Sequence, residues 1–119
     1  MTRREFERIV EEAVTSLPEF FRSKIENVVL RVAESPNKRQ GSGGHEPTLY
    51  GLYEGTPRPE RSPDDSLRMP DRITIFKRAI ERDCKTRVEM TKCIQETVLH
   101  ELGHYFGLDD EQLDRLGLG

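Results

Sequence analysis

The stretch that decides the reading of this chain is HELGHYFGLDD, residues 100–110, at the end of a longer segment whose apolar residues recur at helical spacing. Upstream, Val88, Ile94, Val98, Leu99, Leu102, Tyr105 and Phe106 fit a buried stripe from about Thr86 to Gly107, so the stretch is expected on the last turns of a helix. Residues four apart on a helix differ by about 40° around its axis, which sets His100 and His104 side by side on one face. Two imidazoles so placed can meet one metal ion. Glu101 lies about 100° from His100 and about 60° from His104. At that flank its carboxylate can reach a water on the ion without displacing it, the place of a general base. Gly107 can take the left-handed conformation that ends a helix and turns the chain, which would bring Asp110 back toward the histidines. Two His nitrogens and one Asp oxygen leave a fourth tetrahedral position for water, the ligand pattern of a catalytic zinc site rather than a structural one. HExxH alone is short enough to arise by chance; adding glycine and aspartate at the right offsets makes the string specific.

Working back toward the N-terminus, Thr2 and Glu5 form a capping box ahead of Phe6, Ile9, Val10, Ala13, Val14 and Leu17, which predicts a helix over residues 3–16 stopped by Pro18. A short connector leads to NVVLRVAE, residues 27–34, whose β-branched content and alternation of Val28, Leu30 and Val32 predict a strand. Residues 35–47, with three glycines and two prolines, read as a mobile loop. TLYGLYE, residues 48–54, reads as a second strand and the best candidate for an exposed sheet edge. Another Pro-rich loop follows over residues 57–71, then RITIFK, residues 72–77, as a third strand with Ile73 and Ile75 facing one way. The last residues, EQLDRLGLG, add one helical turn. Strands between two helices, without repeats or a βαβ rhythm, predict an α+β fold in which a small sheet packs against helices.

Composition bounds the rest. A chain of 119 residues supplies one domain, residues 1–119, with one modest core. Leu, Ile, Val and Phe make up about a quarter of it, enough for a globular fold. Charged residues supply 34%, yet 19 Lys plus Arg against 22 Asp plus Glu leave a net charge of −3, which points to no nucleic-acid partner and no acidic membrane surface. No stretch approaches the roughly 20 apolar residues of a membrane span. The first twenty residues alternate charge with apolar side chains and hold no secretory core, so a cytoplasmic protein is expected. In that reducing setting Cys84 and Cys93 are expected to be packing residues rather than a disulfide.

Other polar residues carry weaker signals. His45, in the Gly-rich GGHEP, is read as a loop residue rather than a fourth ligand, because its setting offers no preorganisation. Glu96, one turn before His100, is either a carboxylate that orients the imidazole or a solvated one. Tyr50, Tyr53 and Tyr105 are read as amphipathic packing.

HELGHYFGLDD resembles the extended HExxHxxGxxH/D motif of the metzincin-type zincins, with aspartate in third position as in the snapalysin-like enzymes. Chain length, the segment LYGLYEGTPRPERS, the strand RITIFK and the ending GLDDEQLDRLGL extend the resemblance to the bacterial minimal zincins, predicted zinc proteases with a matrix-metalloprotease-like domain. Unlike in the larger metzincins, the three methionines, Met1, Met69 and Met90, all precede Asp110. The resemblance implies a small mixed sheet packed against an N-terminal helix and the active-site helix. It implies Zn2+ held by His100, His104 and Asp110, Glu101 as the catalytic carboxylate, and a peptide or protein substrate taken by a monomer. Two other classes remain open at this point: a zinc-binding protein that uses the site for stability or metal sensing without hydrolysis, and a metal-free interaction module.

Overall fold

The computed structural model describes residues 1–25, 27–36, 49–55, 71–105 and 111. The two Pro/Gly-rich loops, His45, Phe106, Gly107, Asp110 and nearly all of the closing EQLDRLGLG segment lie outside the described residues.

The N-terminal capping box forms as expected. Thr2 Oγ1 accepts the Glu5 amide at 3.1 Å and the Glu5 carboxylate accepts the Thr2 amide at 3.4 Å, satisfying two of the amides that a helix start leaves open. Helix α1 (Arg3–Thr15) follows and buries Phe6, Ile9, Val10 and Ala13. Pro18 does more than end it: its carbonyl accepts the Phe21 and Arg22 amides and opens a second helix, α2 (Glu19–Ile25), where a connector was expected. Of its residues only Ile25 is buried, so the segment has no apolar stripe to announce it.

Strands β1 (Val28–Ala33), β2 (Gly51–Glu54) and β3 (Asp71–Phe76) form one sheet in the order β1-β3-β2. β1 runs parallel to β3, with Leu30 opposite Ile73, and β2 runs antiparallel to it, with Tyr53 opposite Ile73. The sheet is therefore mixed, as expected. Its central strand is buried on both faces: Ile73 and Ile75 share one side, while Thr74 and Phe76 are buried on the other. β2 is shorter than the sequence suggests; among the described strands it lies at one side of the sheet, but Gly51, Leu52 and Tyr53 are buried where an exposed edge was expected.

β3 passes straight into a further unexpected helix, α3 (Lys77–Asp83). The Arg78 amide donates to the Glu34 carbonyl at 3.1 Å, joining the start of α3 to the end of β1. Lys77 is buried beneath this junction and pairs with Glu81 at 2.6 Å, which holds the Glu81 carboxyl below its ordinary range. With Ile80 as its one buried large apolar residue, KRAIERD is too short to display a helical period.

Helix α4 (Arg87–Tyr105) starts with a second capping box, in which Thr86 and Glu89 exchange hydrogen bonds of 3.1 Å. Met90, Ile94, Val98 and Leu102, each four residues on from the last, form its core line. Val88 was expected in that stripe but is 78% exposed. Two residues before Met90, it projects about 200° around the axis, from the far side of the helix. α4 crosses the face of the sheet that carries Tyr53, Ile73 and Ile75, and packs beside α1. Gln95 donates to the Ala13 carbonyl at 3.0 Å, and Arg87 pairs with Glu12, so the two helices are joined by polar contacts at the margin of an apolar interface. Among the described residues, no helix is long and apolar enough to cross a membrane.

Candidate metal centre

The last two turns of α4 carry His100, Glu101 and His104 to the rim of the sheet. The imidazoles stand as helical spacing requires, with ring centroids 5.0 Å apart and planes at 76°. Each histidine is half-buried, so its ring is held by packing without being sealed from a ligand. Glu101 differs: it is only 1% exposed. A carboxylate removed from water is costly unless strong donors replace its hydration. Here the Tyr53 amide donates to Glu101 Oε2 at 2.9 Å, across 48 residues of sequence.

The strand supplies that amide because of where β2 runs. Gly51 faces α4, and a Cβ built on it would lie 2.7 Å from Thr97 Cγ2, 3.0 Å from the Thr74 carbonyl oxygen and 3.7 Å from Glu101 Cγ. Glycine is thus what lets strand and helix approach closely enough for Tyr53 to reach Glu101. Thr97 donates its hydroxyl to the Cys93 carbonyl one turn back, at 2.7 Å, which keeps its methyl toward the strand. Neither Gly51 nor Thr97 was a candidate from sequence, although a glycine inside the apolar TLYGLYE is itself a mark of close backbone approach. The Tyr53 amide could not have been found that way, since every residue but proline carries one.

The ligand atoms available from His100, Glu101 and His104 all lie within 4.8 Å of one another. Two imidazoles beside a carboxylate are a donor set suited to zinc, and their mutual reach fits a single ion. A family model of zincin-like metallopeptidases matches residues 25–119, which includes every strand, α3, α4 and the HELGHYFGLDD segment.

The chain belongs to the zincin-like metallopeptidase family.

The fold is accordingly a small α+β zincin-like one, with helix α1 lying outside the matched region. None of the curated proteins matches the chain. Within this zincin-like arrangement His100, Glu101 and His104 come together as the sequence predicts. Asp110, the expected third ligand, and the Gly107 turn that would return it are outside the described residues. Glu96 is exposed, the solvated one of its two expected states.

The remaining polar residues near β2 have structural occupations. Tyr53 is fully buried. Tyr50 donates its hydroxyl to Asp83 at 2.7 Å, tying the approach to β2 to the end of α3. That bond, with partial burial, pushes the phenol up to about 12. Hydrogen bonds from Arg82 and then Tyr50 hold Asp83 down at about 2. Cys84 and Cys93 are free thiols, as expected, the first buried and the second half-buried. Burial, and then the neighbouring Cys84, push the Cys93 thiol up to about 12, which makes it a packing residue and a poor nucleophile.

Proposed function

We propose that this chain is a zinc-dependent metallopeptidase in which His100, His104 and Asp110 hold the ion and Glu101 is the general base. The observation that carries this reading is a carboxylate, 1% exposed, within 4.8 Å reach of two half-buried imidazoles at the rim of a sheet. Zinc held there supplies an acidified water and a Lewis acid for the peptide carbonyl. Glu101 takes the proton of the attacking water and returns it to the leaving amine. The Tyr53 amide fixes one oxygen of that carboxylate, so the other is presented in a defined direction. Burial excludes bulk water from the proton-transfer path.

The partner in this reading is a peptide or protein segment, taken by one copy of the chain without nucleic acid or membrane. β2, at the sheet rim beside Glu101, is the strand against which an extended segment would lie.

One observation favours a second reading. The Glu101 carboxylate is close enough to both imidazoles to be a ligand itself, which would make the centre a non-hydrolytic zinc site serving stability or metal sensing. Metal analysis of the purified protein, with cleavage of a peptide library by the parent and Glu101→Gln forms, separates the two. A base predicts unchanged zinc content and lost cleavage; a ligand predicts weakened zinc binding and no cleavage by either form.

A further inference from the structure

Helical spacing puts the Glu101 carboxylate within ligand reach of both imidazoles, the donor atoms of His100, Glu101 and His104 lying within 4.8 Å of one another. An anionic carboxylate is drawn to a divalent cation, and once bound it takes the position that a catalytic site keeps for water. A general base at this place therefore needs something that holds it back. β2 supplies it, because the Tyr53 N–H donates to Glu101 Oε2 at 2.9 Å. The Phe76 amide donates to the Tyr50 carbonyl, so by alternation the next hydrogen-bonded pair of the antiparallel ladder is Leu52 with Thr74. Tyr53 follows that pair, and its N–H is directed away from β3, where it meets Glu101. A main-chain donor has no rotamer of its own; its position is that of the strand. The strand is seated on α4 by Gly51, where a Cβ would lie 2.7 Å from Thr97 Cγ2 and 3.7 Å from Glu101 Cγ. Thr97 is one helical turn before Glu101, so the point that seats the strand and the carboxylate it holds share one face of α4.

We propose that the Tyr53 N–H is a positioning group that keeps Glu101 turned to the strand and off the metal, so that the seating of β2 on α4 decides whether Glu101 serves as base or as ligand. The bond engages Oε2, and the base function falls to Oε1. Without the bond the carboxylate closes on the ion, zinc is held more tightly and hydrolysis stops. Zinc affinity and turnover then move in opposite directions, whereas general destabilisation of the site lowers both. This inference rests on the peptidase reading of the site, and its test is built to fail separately.

The Leu52–Tyr53 peptide bond is replaced by an ester, which removes the N–H and leaves every side chain in place, in the parent and in Glu101→Ala. Zinc dissociation constants are measured by competition with a chromophoric chelator. The ester is expected to tighten zinc binding about tenfold in the parent, near the lower end for a hydrogen bond to a charged group, and to leave it unchanged in Glu101→Ala. A parent ester that binds zinc no more tightly, or a shift that survives in Glu101→Ala, overturns the proposal. The unmodified protein gives an independent check should the ester not fold. The NMR scalar coupling across the hydrogen bond, between the Tyr53 nitrogen and Glu101 Cδ, is expected to persist when zinc is added; its loss overturns the restraint. Cleavage of a peptide library by the unmodified protein is measured alongside. Zinc bound and coupling retained without cleavage upholds the restraint and defeats the peptidase reading, whereas cleavage with the coupling lost defeats the restraint alone. No zinc bound defeats both.

Discussion

At the β2 rim of the sheet a carboxylate 1% exposed accepts the Tyr53 amide, whereas at the β1 rim the Arg3 guanidinium, on a side chain 56% exposed, donates to the Val32 carbonyl. Both contacts occupy main-chain groups that a rim strand would otherwise offer to another chain. Arg3 does so from the surface, where it also pairs with Glu7 at 3.2 Å and where a guanidinium keeps most of its hydration. A groove runs along this rim between α1 and β1, lined by Arg3, Glu7, Glu11 and Arg31 over Val10 and Leu30, with its charges balanced. Glu101 performs the same task from inside the protein, beside two histidines, at the cost of a desolvated charge. Rim protection needs no buried carboxylate, as β1 shows. The burial at β2 is the feature on which the proposed base role of Glu101 rests.

If that contrast is right, the largest effect is on turnover. Glu101→Gln should lower peptide cleavage by about 10²- to 10⁴-fold with zinc content unchanged, the range for loss of a general base. Arg3→Gln, which removes the charge at the opposite rim, should leave both untouched. Equal losses of cleavage in the two variants would erase the distinction.

Metal removal comes next. A ligand at a hundred times its dissociation constant stabilises a fold by about 2.7 kcal/mol, so chelation should lower the melting temperature of zinc-loaded parent by several degrees. His100→Ala should show no such response, and Arg3→Ala the full one. A chelator response that survives in His100→Ala would place the metal elsewhere.

Crowding at the β2 crossing is a smaller effect and one of stability. Gly51→Ala puts a methyl group 2.7 Å from Thr97 Cγ2, and overpacking of this kind costs about 1 to 3 kcal/mol in denaturant unfolding. Thr97→Ser deletes the obstructing methyl and should return part of that loss in the double variant. The Thr74 carbonyl oxygen, 3.0 Å from the same point, keeps the recovery incomplete. Simple additivity of the two substitutions would show that strand and helix do not meet there.

The smallest effect is at the surface bond that anchors the approach to β2. Asp83 is held at about 2 against an ordinary 3.8. Its contribution to stability is present above the ordinary value and is lost as pH falls toward 2. Asp83→Asn should remove that component, so its stability should fall less steeply than the parent's between pH 4 and pH 2 in acid titration followed by circular dichroism. Parallel curves would mean that the Tyr50–Asp83 contact adds nothing in solution.

The parts of this architecture that sequence makes legible are those governed by local period. Thr2 with Glu5 fixes the start of α1, and alternation picks out Val28, Leu30 and Val32 and the pair Ile73 and Ile75. Helical spacing alone brings His100 and His104 together with Glu101 at their flank. What escaped notice has an equally physical cause. α2 and α3 are a pair of turns each, too short to repeat an apolar face, and Val88 is an apolar residue on a wet side of α4 that periodicity counted as core.

The sequence by itself determined that His100, Glu101 and His104 cluster on the last turns of α4, because residues one turn apart on a helix are neighbours whatever else the chain does. Only the tertiary structure decided that Glu101 is buried, that its bond partner is the Tyr53 amide, and that β2 lies at the rim with Gly51 against Thr97. Those contacts join elements more than forty residues apart through a backbone group and a missing side chain. Neither leaves a periodic trace in sequence, since any residue but proline supplies the amide, and a glycine shows what is absent without showing what fills the space.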